Sequence, residues 1–207
     1  MEASRHDVPL GNYENKYAAQ NPISRFLVEN FLKNFRELLR ITPKPHTIAE
    51  IGAGEGFLTS ILRDTYPVPT KIFASDISNV ILDVARRNLA DKNIEFSIQY
   101  GENLSYEDHS FDLIVCSEVL EHVQDPNKTL REIYRISNGW VILSVPWEPT
   151  WRILNVLRGK YLRHLGNTPG HINHWSRKEF IRLVESHDFK IEKVLKSFPW
   201  TMILVYR

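Results

Sequence analysis

The chain reads as an α/β fold, a doubly wound and mainly parallel sheet with helices on both faces, and three observations predict it. Short apolar runs alternate with amphipathic helical runs along the whole length, the pattern that yields parallel strands joined by crossover helices. One apolar run, ending in Ala49-Glu50-Ile51, passes directly into Gly52-Ala53-Gly54-Glu55-Gly56. A second, Lys71-Ile72-Phe73-Ala74-Ser75, stops at Asp76, about 20 residues after the glycine turn.

The periodicity predicts strands over 47–51, 71–75, 94–98, 111–116, 140–145, 190–198 and 201–206. Helices are expected over 22–40, 56–64, 79–90, 126–137 and 177–187. Asn21-Pro22 and Asp125-Pro126 each put a capping side chain ahead of a proline at the first helical position. Ser176 and Glu179 have the spacing of a capping box. Only Pro199-Trp200 separates the last two predicted strands, so they form an antiparallel hairpin.

Composition fits one domain over 1–207, with an N-terminal lid and helix over 1–40 and a substrate-specificity insert over 147–175. The 43% hydrophobic residues suffice for a single core. With 26 basic against 25 acidic residues the net charge is +1, which gives no electrostatic footprint for nucleic acid. Cys116 is the only cysteine and sits in an apolar run, so a buried thiol in a reducing compartment is expected. The first ten residues carry Glu2, Arg5, His6 and Asp7, and no run approaches 18 apolar residues. A cytoplasmic protein without a membrane span follows as the expectation.

A strand entering a glycine turn and then a helix is a nucleotide-binding corner, because glycines let the backbone approach a ligand that a Cβ would hold off. The dinucleotide fingerprint asks for a third glycine where Phe57 stands, with Gly56 one position early. That departure weighs against a nicotinamide-dependent reductase. Asp76 at the end of the second strand is placed to accept hydrogen bonds from both ribose hydroxyls.

Glu50-Ile51-Gly52-Ala53-Gly54-Glu55-Gly56, then Asp76, then Ser110-Phe111-Asp112-Leu113-Ile114 and Ser117-Glu118-Val119-Leu120-Glu121-His122 together resemble the class I S-adenosylmethionine-dependent methyltransferases. Within them the chain is similar to the type 11 subgroup of ubiquinone and menaquinone biosynthesis methyltransferases. The resemblance implies a Rossmann-like seven-stranded sheet of order 3-2-1-4-5-7-6, its last strand antiparallel. It also implies S-adenosylmethionine as cofactor, S-adenosylhomocysteine as product, and O-, N- or C-methylation of a small-molecule acceptor by in-line transfer. By the same resemblance Glu50, Gly52, Ala53, Gly54 and Gly56 hold the methionine part, Asp76 the ribose, and Ile77 packs on the adenine. Gly101, Glu102 and Asn103 form the adenine-edge loop. Tyr100 stands where many relatives carry an Asp, and Glu102 or a backbone carbonyl is the replacement for that contact; a solvated loop acid is the other reading of Glu102.

Ser117 and Glu118 are expected beside the sulfonium. Glu118 and Glu121 read equally as cofactor or substrate contacts and as a solvated helix start. His122 is a candidate general base for a substrate hydroxyl or ammonium, with a packed or capping histidine as the alternative. His171 and His174 are candidates on an active-site lid, the alternative being packing around Trp175. Two histidines three apart with no third ligand nearby in sequence make a poor zinc site, so no metal is expected.

Trp151, Leu154, Leu157, Tyr161 and Leu165 recur at helical spacing, with Arg152, Arg158, Lys160 and Arg163 between them. Such a helix could cap an apolar acceptor, bind an anionic group, touch a membrane surface, or pack on its own domain. Tyr13 and Tyr17 are weak cofactor-side candidates on the N-terminal lid. Beside the methyltransferase stand two other readings, the reductase and a non-catalytic cofactor-binding module of the same fold. Oligomeric state is not legible.

Overall fold

The computed structural model describes residues 22–90, 93–157, 159 and 161–207, the side chain of Arg163 excepted. The expected N-terminal lid, with Tyr13, Tyr17 and the Asn21 cap, lies outside the described residues, as do Arg158 and Lys160.

In chain order the elements are α1 (Pro22–Ile41), β1 (Thr47–Ile51), α2 (Phe57–Thr65), β2 (Lys71–Asp76), α3 (Asn79–Asn88), β3 (Ile94–Ile98), β4 (Phe111–Ser117), α4 (Pro126–Ile136), β5 (Ser137–Pro146), α5 (Thr150–Leu157), α6 (Arg177–Glu185), β6 (Lys190–Leu195) and β7 (Trp200–Tyr206). The strands form one sheet of order β3-β2-β1-β4-β5-β7-β6. β1 to β5 pair in parallel, and β7 runs antiparallel to both β5 and β6.

Side chains alternate across a strand, so each central strand feeds two cores. Ile48, Leu113, Val115, Ile142, Met202 and Leu204 point to the face covered by α1 and α2, where Phe35, Leu38, Leu39 and Leu62 are buried. Ala49, Ile51, Ile114, Val141, Leu143, Ile203 and Val205 point to the face covered by α4 and α6, against Leu130, Ile133 and Phe180. Burial on both faces explains why these strands read as continuous apolar runs.

Register places the functional edge. Ile51 pairs with Ser75 on one side and Cys116 on the other, so Gly52, Asp76 and Ser117 leave the sheet side by side. Between β1 and β4 the strand order reverses, which opens the crevice where ligands of doubly wound sheets sit. Antiparallel β7 brings its own start, Trp200, to this edge opposite Pro146.

Three departures from the expected boundaries exceed two residues. β6 ends at Leu195 and β7 begins at Trp200, so residues 196–199 make the connection and Trp200 belongs to the sheet. β5 begins at Ser137 because α4 runs into it without a loop. The helix of the insert stops at Leu157, where Gly159 with φ 68° takes the left-handed conformation that ends helices; only a short 3₁₀ turn over 162–164 follows.

Of the three expected caps, the two within the described residues are formed. Ser176 and Glu179 make the reciprocal capping box of α6, and Asp125 Oδ1 accepts from Lys128 N at 3.0 Å ahead of Pro126. Asp125→Ala removes that acceptor from α4. The expected loss is about 1 kcal/mol, read as a fall in Tm of about 2–4 °C by calorimetry.

Candidate active site

The glycine corner is built from backbone hydrogen bonds. Gly52 N and Ala53 N both donate to Ser75 O at 2.8 Å, and Gly54 N donates to Asp76 Oδ2 at 3.0 Å. Asp76 Oδ1 accepts from Ser78 N at 3.0 Å, so one carboxylate holds the turns after β1 and β2 together. Each oxygen retains a lone pair for a further donor such as a ribose hydroxyl. Gly52 has φ 77°, and a Cβ there would meet Val119 Cγ2 at 2.2 Å; packing demands that glycine. Gly54 has φ 56° and open space where a Cβ would stand, as a ligand-facing glycine needs.

Glu50 lies beneath this corner and is buried. Its Oε2 accepts from Thr59 Oγ1 of α2 at 2.6 Å. Burial pushes its carboxyl up to about 8; the Thr59 bond works against the rise and the Asp76 charge adds to it. Its place is under the ligand-facing backbone.

The next rim is the turn after β3. Gln99 N donates to Asp76 O at 3.2 Å and Asn103 N to Tyr100 O at 2.8 Å. Gly101 is packed so that a Cβ would stand 3.1 Å from Thr129 Cγ2. Glu102 Oε1 accepts from Gln124 N at 2.9 Å and from Asp125 N at 3.5 Å, so this carboxylate anchors the start of α4. Ile77 and Tyr100 are exposed apolar surfaces on the same rim.

The turn after β4 faces the glycine corner. Ser117 Oγ bonds Ser144 Oγ at 2.7 Å, and Glu118 N donates to Ser144 O at 3.0 Å. Glu118 has φ 60°, rare for a residue with a Cβ. Its carboxylate accepts from Trp200 Nε1 at 2.7 Å and from Ser144 Oγ at 3.3 Å, which holds it in that conformation. Trp200 is itself fixed by edge and tilted contacts with Phe31 and Trp151.

Residues 170–175 are stitched to this turn. Ile172 N and Asn173 N donate to Glu121 O at 2.9 and 3.1 Å, and Asn173 Nδ2 donates to Leu120 O and Val123 O at 3.1 and 2.7 Å. His122 Nδ1 bonds Gly170 O at 2.9 Å, and its ring meets His171 edge to face with centroids 4.8 Å apart. His171 and Glu121 are buried. His174 is elsewhere: its Nε2 bonds Asn167 Oδ1 at 2.7 Å, and burial followed by the Arg152 charge holds its imidazole below the usual range. The structure thus brings His122 and His171 together and leaves His174 with the insert.

Sequence reasoning missed Asn173 and Trp200 as site-building residues. Neither sits in a motif, and their partners lie 50 and 82 residues away along the chain. The insert closes on itself, with Glu148 N donating to Trp175 O at 3.0 Å and Asn155 Nδ2 to Gly166 O at 2.8 Å. An apolar pocket of about 320 Å³ on it is lined by Pro149, Arg152, Ile153, Val156, Leu157 and Leu165, none of them a residue of the glycine corner.

The pattern of the family described as "Methyltransferase domain" matches residues 21–194. The chain belongs to that family. Ubiquinone/menaquinone biosynthesis C-methyltransferase UbiE of Hydrogenovibrio crunogenus is 28% identical over 135 residues, 63% of this chain and 51% of the relative. Ubiquinone biosynthesis O-methyltransferase of Coxiella burnetii is 32% identical over 94 residues, 44% of this chain and 39% of the relative. The chain thus spans about half or less of the length of these curated relatives. Among solved structures, a SAM-dependent methyltransferase from Aquifex aeolicus superimposes with TM-score 0.69 at 17% identity, covering 90% of this chain and 93% of that one. Magnesium protoporphyrin IX methyltransferase from Synechocystis with bound SAH gives TM-score 0.68 at 16% identity, covering 93% and 91%. The sheet is that of the class I S-adenosylmethionine-dependent methyltransferases, as the order and the antiparallel β7 require.

S-adenosylmethionine is the cofactor of this family, and the corner fits it. Gly54 leaves open backbone, Asp76 keeps acceptor capacity at the ribose position, and Ile77 offers an apolar surface for a base.

Two outcomes follow. Gly52→Ala puts a methyl into Val119 as well as a left-handed residue into the turn, at a cost of about 3 kcal/mol, whereas Gly54→Ala costs only about 1–2 kcal/mol. Gly54→Ala lowers affinity for S-adenosylhomocysteine with the smaller fall in Tm, about 2–8 °C, and Gly52→Ala gives the larger fall; thermal melts and calorimetric titration read both. For Glu50, the folded chain keeps a proton that the unfolded chain loses near pH 4.5. Its contribution to stability is full below that pH and is lost as pH rises to about 8, by at most about 1.4 kcal/mol per pH unit. Melts between pH 5 and 8 will show a shallower decline for Glu50→Gln than for the parent.

Proposed function

We propose that this chain transfers a methyl group from S-adenosylmethionine to a small-molecule acceptor. The observation that carries the reading is the pairing, across the crevice between β1 and β4, of the Gly52–Asp76 corner with the turn that bears His122. Gly52, Ala53, Gly54 and Gly56 would hold the methionine part, with Ser117 and Glu118 as the wall beside it. Asp76 would hold the ribose, and Ile77, Gly101, Glu102 and Asn103 the adenine. A bound S-adenosylmethionine supplies an already activated methyl donor, so the protein's share is to position the acceptor and exclude water.

His122 and His171 are the polar groups of the acceptor side. His122 Nδ1 must donate to Gly170 O, since a carbonyl oxygen only accepts, so in the neutral imidazole Nε2 is the lone-pair nitrogen. His174 serves the insert, through Asn167.

The insert supports an acceptor with an apolar part. Ile153, Leu157 and Leu165 are exposed around its pocket, with Arg152 beside them. The same surface suits peripheral contact with a membrane that carries such an acceptor; among the described residues no helix is long and apolar enough to cross one. Two relatives are named for ubiquinone or menaquinone biosynthesis and a structural neighbour for magnesium protoporphyrin IX.

The test is incubation with methyl-labelled S-adenosylmethionine and a small-molecule extract, followed by partition between organic and aqueous phases. Label in the organic phase is the expected result. No protein-dependent transfer, with cofactor binding intact, overturns the enzyme reading in favour of a binding module. Asp76→Ala is expected to weaken S-adenosylhomocysteine binding at least about tenfold, or 1.4 kcal/mol.

A further inference from the structure

Glu121, His122 and His171 converge on one point. Each offers a ligand atom, and these atoms lie within 4.8 Å of one another. His122 Nε2 stands 4.0 Å from Glu121 Oε1. The two imidazole rings meet edge to face, at 83° with centroids 4.8 Å apart. The trio was not legible in sequence, where His171 is separated by 49 positions from His122 and the visible pair was His171 with His174.

Four features mark the trio as a ligand set. The donors are one carboxylate and two imidazoles, the composition of metal sites that keep a coordination position open. His122 donates its Nδ1 proton to the Gly170 carbonyl at 2.9 Å, the outer contact that fixes tautomer and ring orientation in metal-ligating histidines. Glu121 is 1% exposed and His171 8%, while the His122 side chain is 35% exposed, so the centre of the trio is enclosed on two sides and open on the third. The backbone bonds from Ile172 and Asn173 to Glu121 O, with Asn173 Nδ2 on Leu120 O and Val123 O, clamp the two contributing segments together before any ion arrives. Glu118 is not part of the set, because its carboxylate accepts from Trp200 and Ser144.

We propose that Glu121, His122 and His171 bind one divalent ion of the Zn²⁺ class, with an open position toward the methyl acceptor. Ligand atoms around a tetrahedral ion stand about 3.4 Å apart for bonds of about 2.1 Å. From a spread of up to 4.8 Å, the ligand atoms must draw together by up to about 1.4 Å to reach that spacing. The inference rests on the methyl-transfer reading only for its role. There it narrows the acceptor to one with a hydroxyl that can coordinate the ion, a phenol or enol. Coordination lowers the hydroxyl pKa, its proton leaves to solvent, and the oxygen takes the methyl while the C–S bonding pair stays on sulfur.

The test uses the full chain, stripped with a chelator and titrated with Zn²⁺ or Co²⁺ alone. The expected result is one ion per chain with a Kd of about 10 μM or tighter. Glu121→Gln and His171→Gln are each expected to weaken binding at least about tenfold, and His187→Gln on the far end of α6 not at all. Each variant's melting curve reports whether it folds. Should Glu121→Gln not fold, His171→Gln decides; should neither fold, the visible spectrum of the Co²⁺-loaded parent decides, with tetrahedral or five-coordinate bands expected. Absence of stoichiometric binding, His171→Gln binding like the parent, or a purely aquo-ion spectrum overturns the proposal. S-adenosylhomocysteine binding, measured in parallel, reports separately on the methyl-transfer reading.

Discussion

The functional edge of this molecule depends on the turn after β4, which is gripped from three directions. Val119 fills the space above Gly52, so the turn and the glycine corner fit only with each other. Glu118 is held in a left-handed conformation by Trp200 and Ser144, which ties the turn to β5 and β7. The carbonyls of Leu120, Glu121 and Val123 carry the segment with His171, through Asn173 and Ile172. One short stretch is therefore a wall of the crevice between β1 and β4, a support of the segment with His171 and the anchor of the insert's end. A strained non-glycine residue at its start is consistent with that demand.

Much of this was legible in the chain because it rests on local rules. Alternating apolar runs gave away the sheet, and Asp125-Pro126 and Ser176 to Glu179 announced two helix starts that formed as read. The glycine corner and Asp76 were legible because few residue types tolerate their backbone and contacts. What local rules do not encode was missed. Asn173 and Trp200 act across 50 and 82 positions, and an ordinary polar or aromatic residue in sequence carries no sign of such a partner. The insert's helix was read too long because its apolar spacing continues past Gly159, where the backbone turns.

Electrostatics divides the crevice. On the cofactor side Asp76 is tied by backbone amides, and Glu50 beneath it is driven by burial toward its neutral form. Beside the turn after β4 a buried carboxylate and two imidazoles meet. The apolar pocket of the insert is lined by none of these carboxylates and imidazoles.

A crystal structure with S-adenosylhomocysteine tests the central claim most directly. The account predicts the ribose hydroxyls on Asp76, the ligand backbone over Gly54, and the sulfur facing the turn after β4, with Val119 still seated on Gly52. A nucleoside lodged anywhere else, or a turn that leaves Gly52 when the ligand binds, would contradict it.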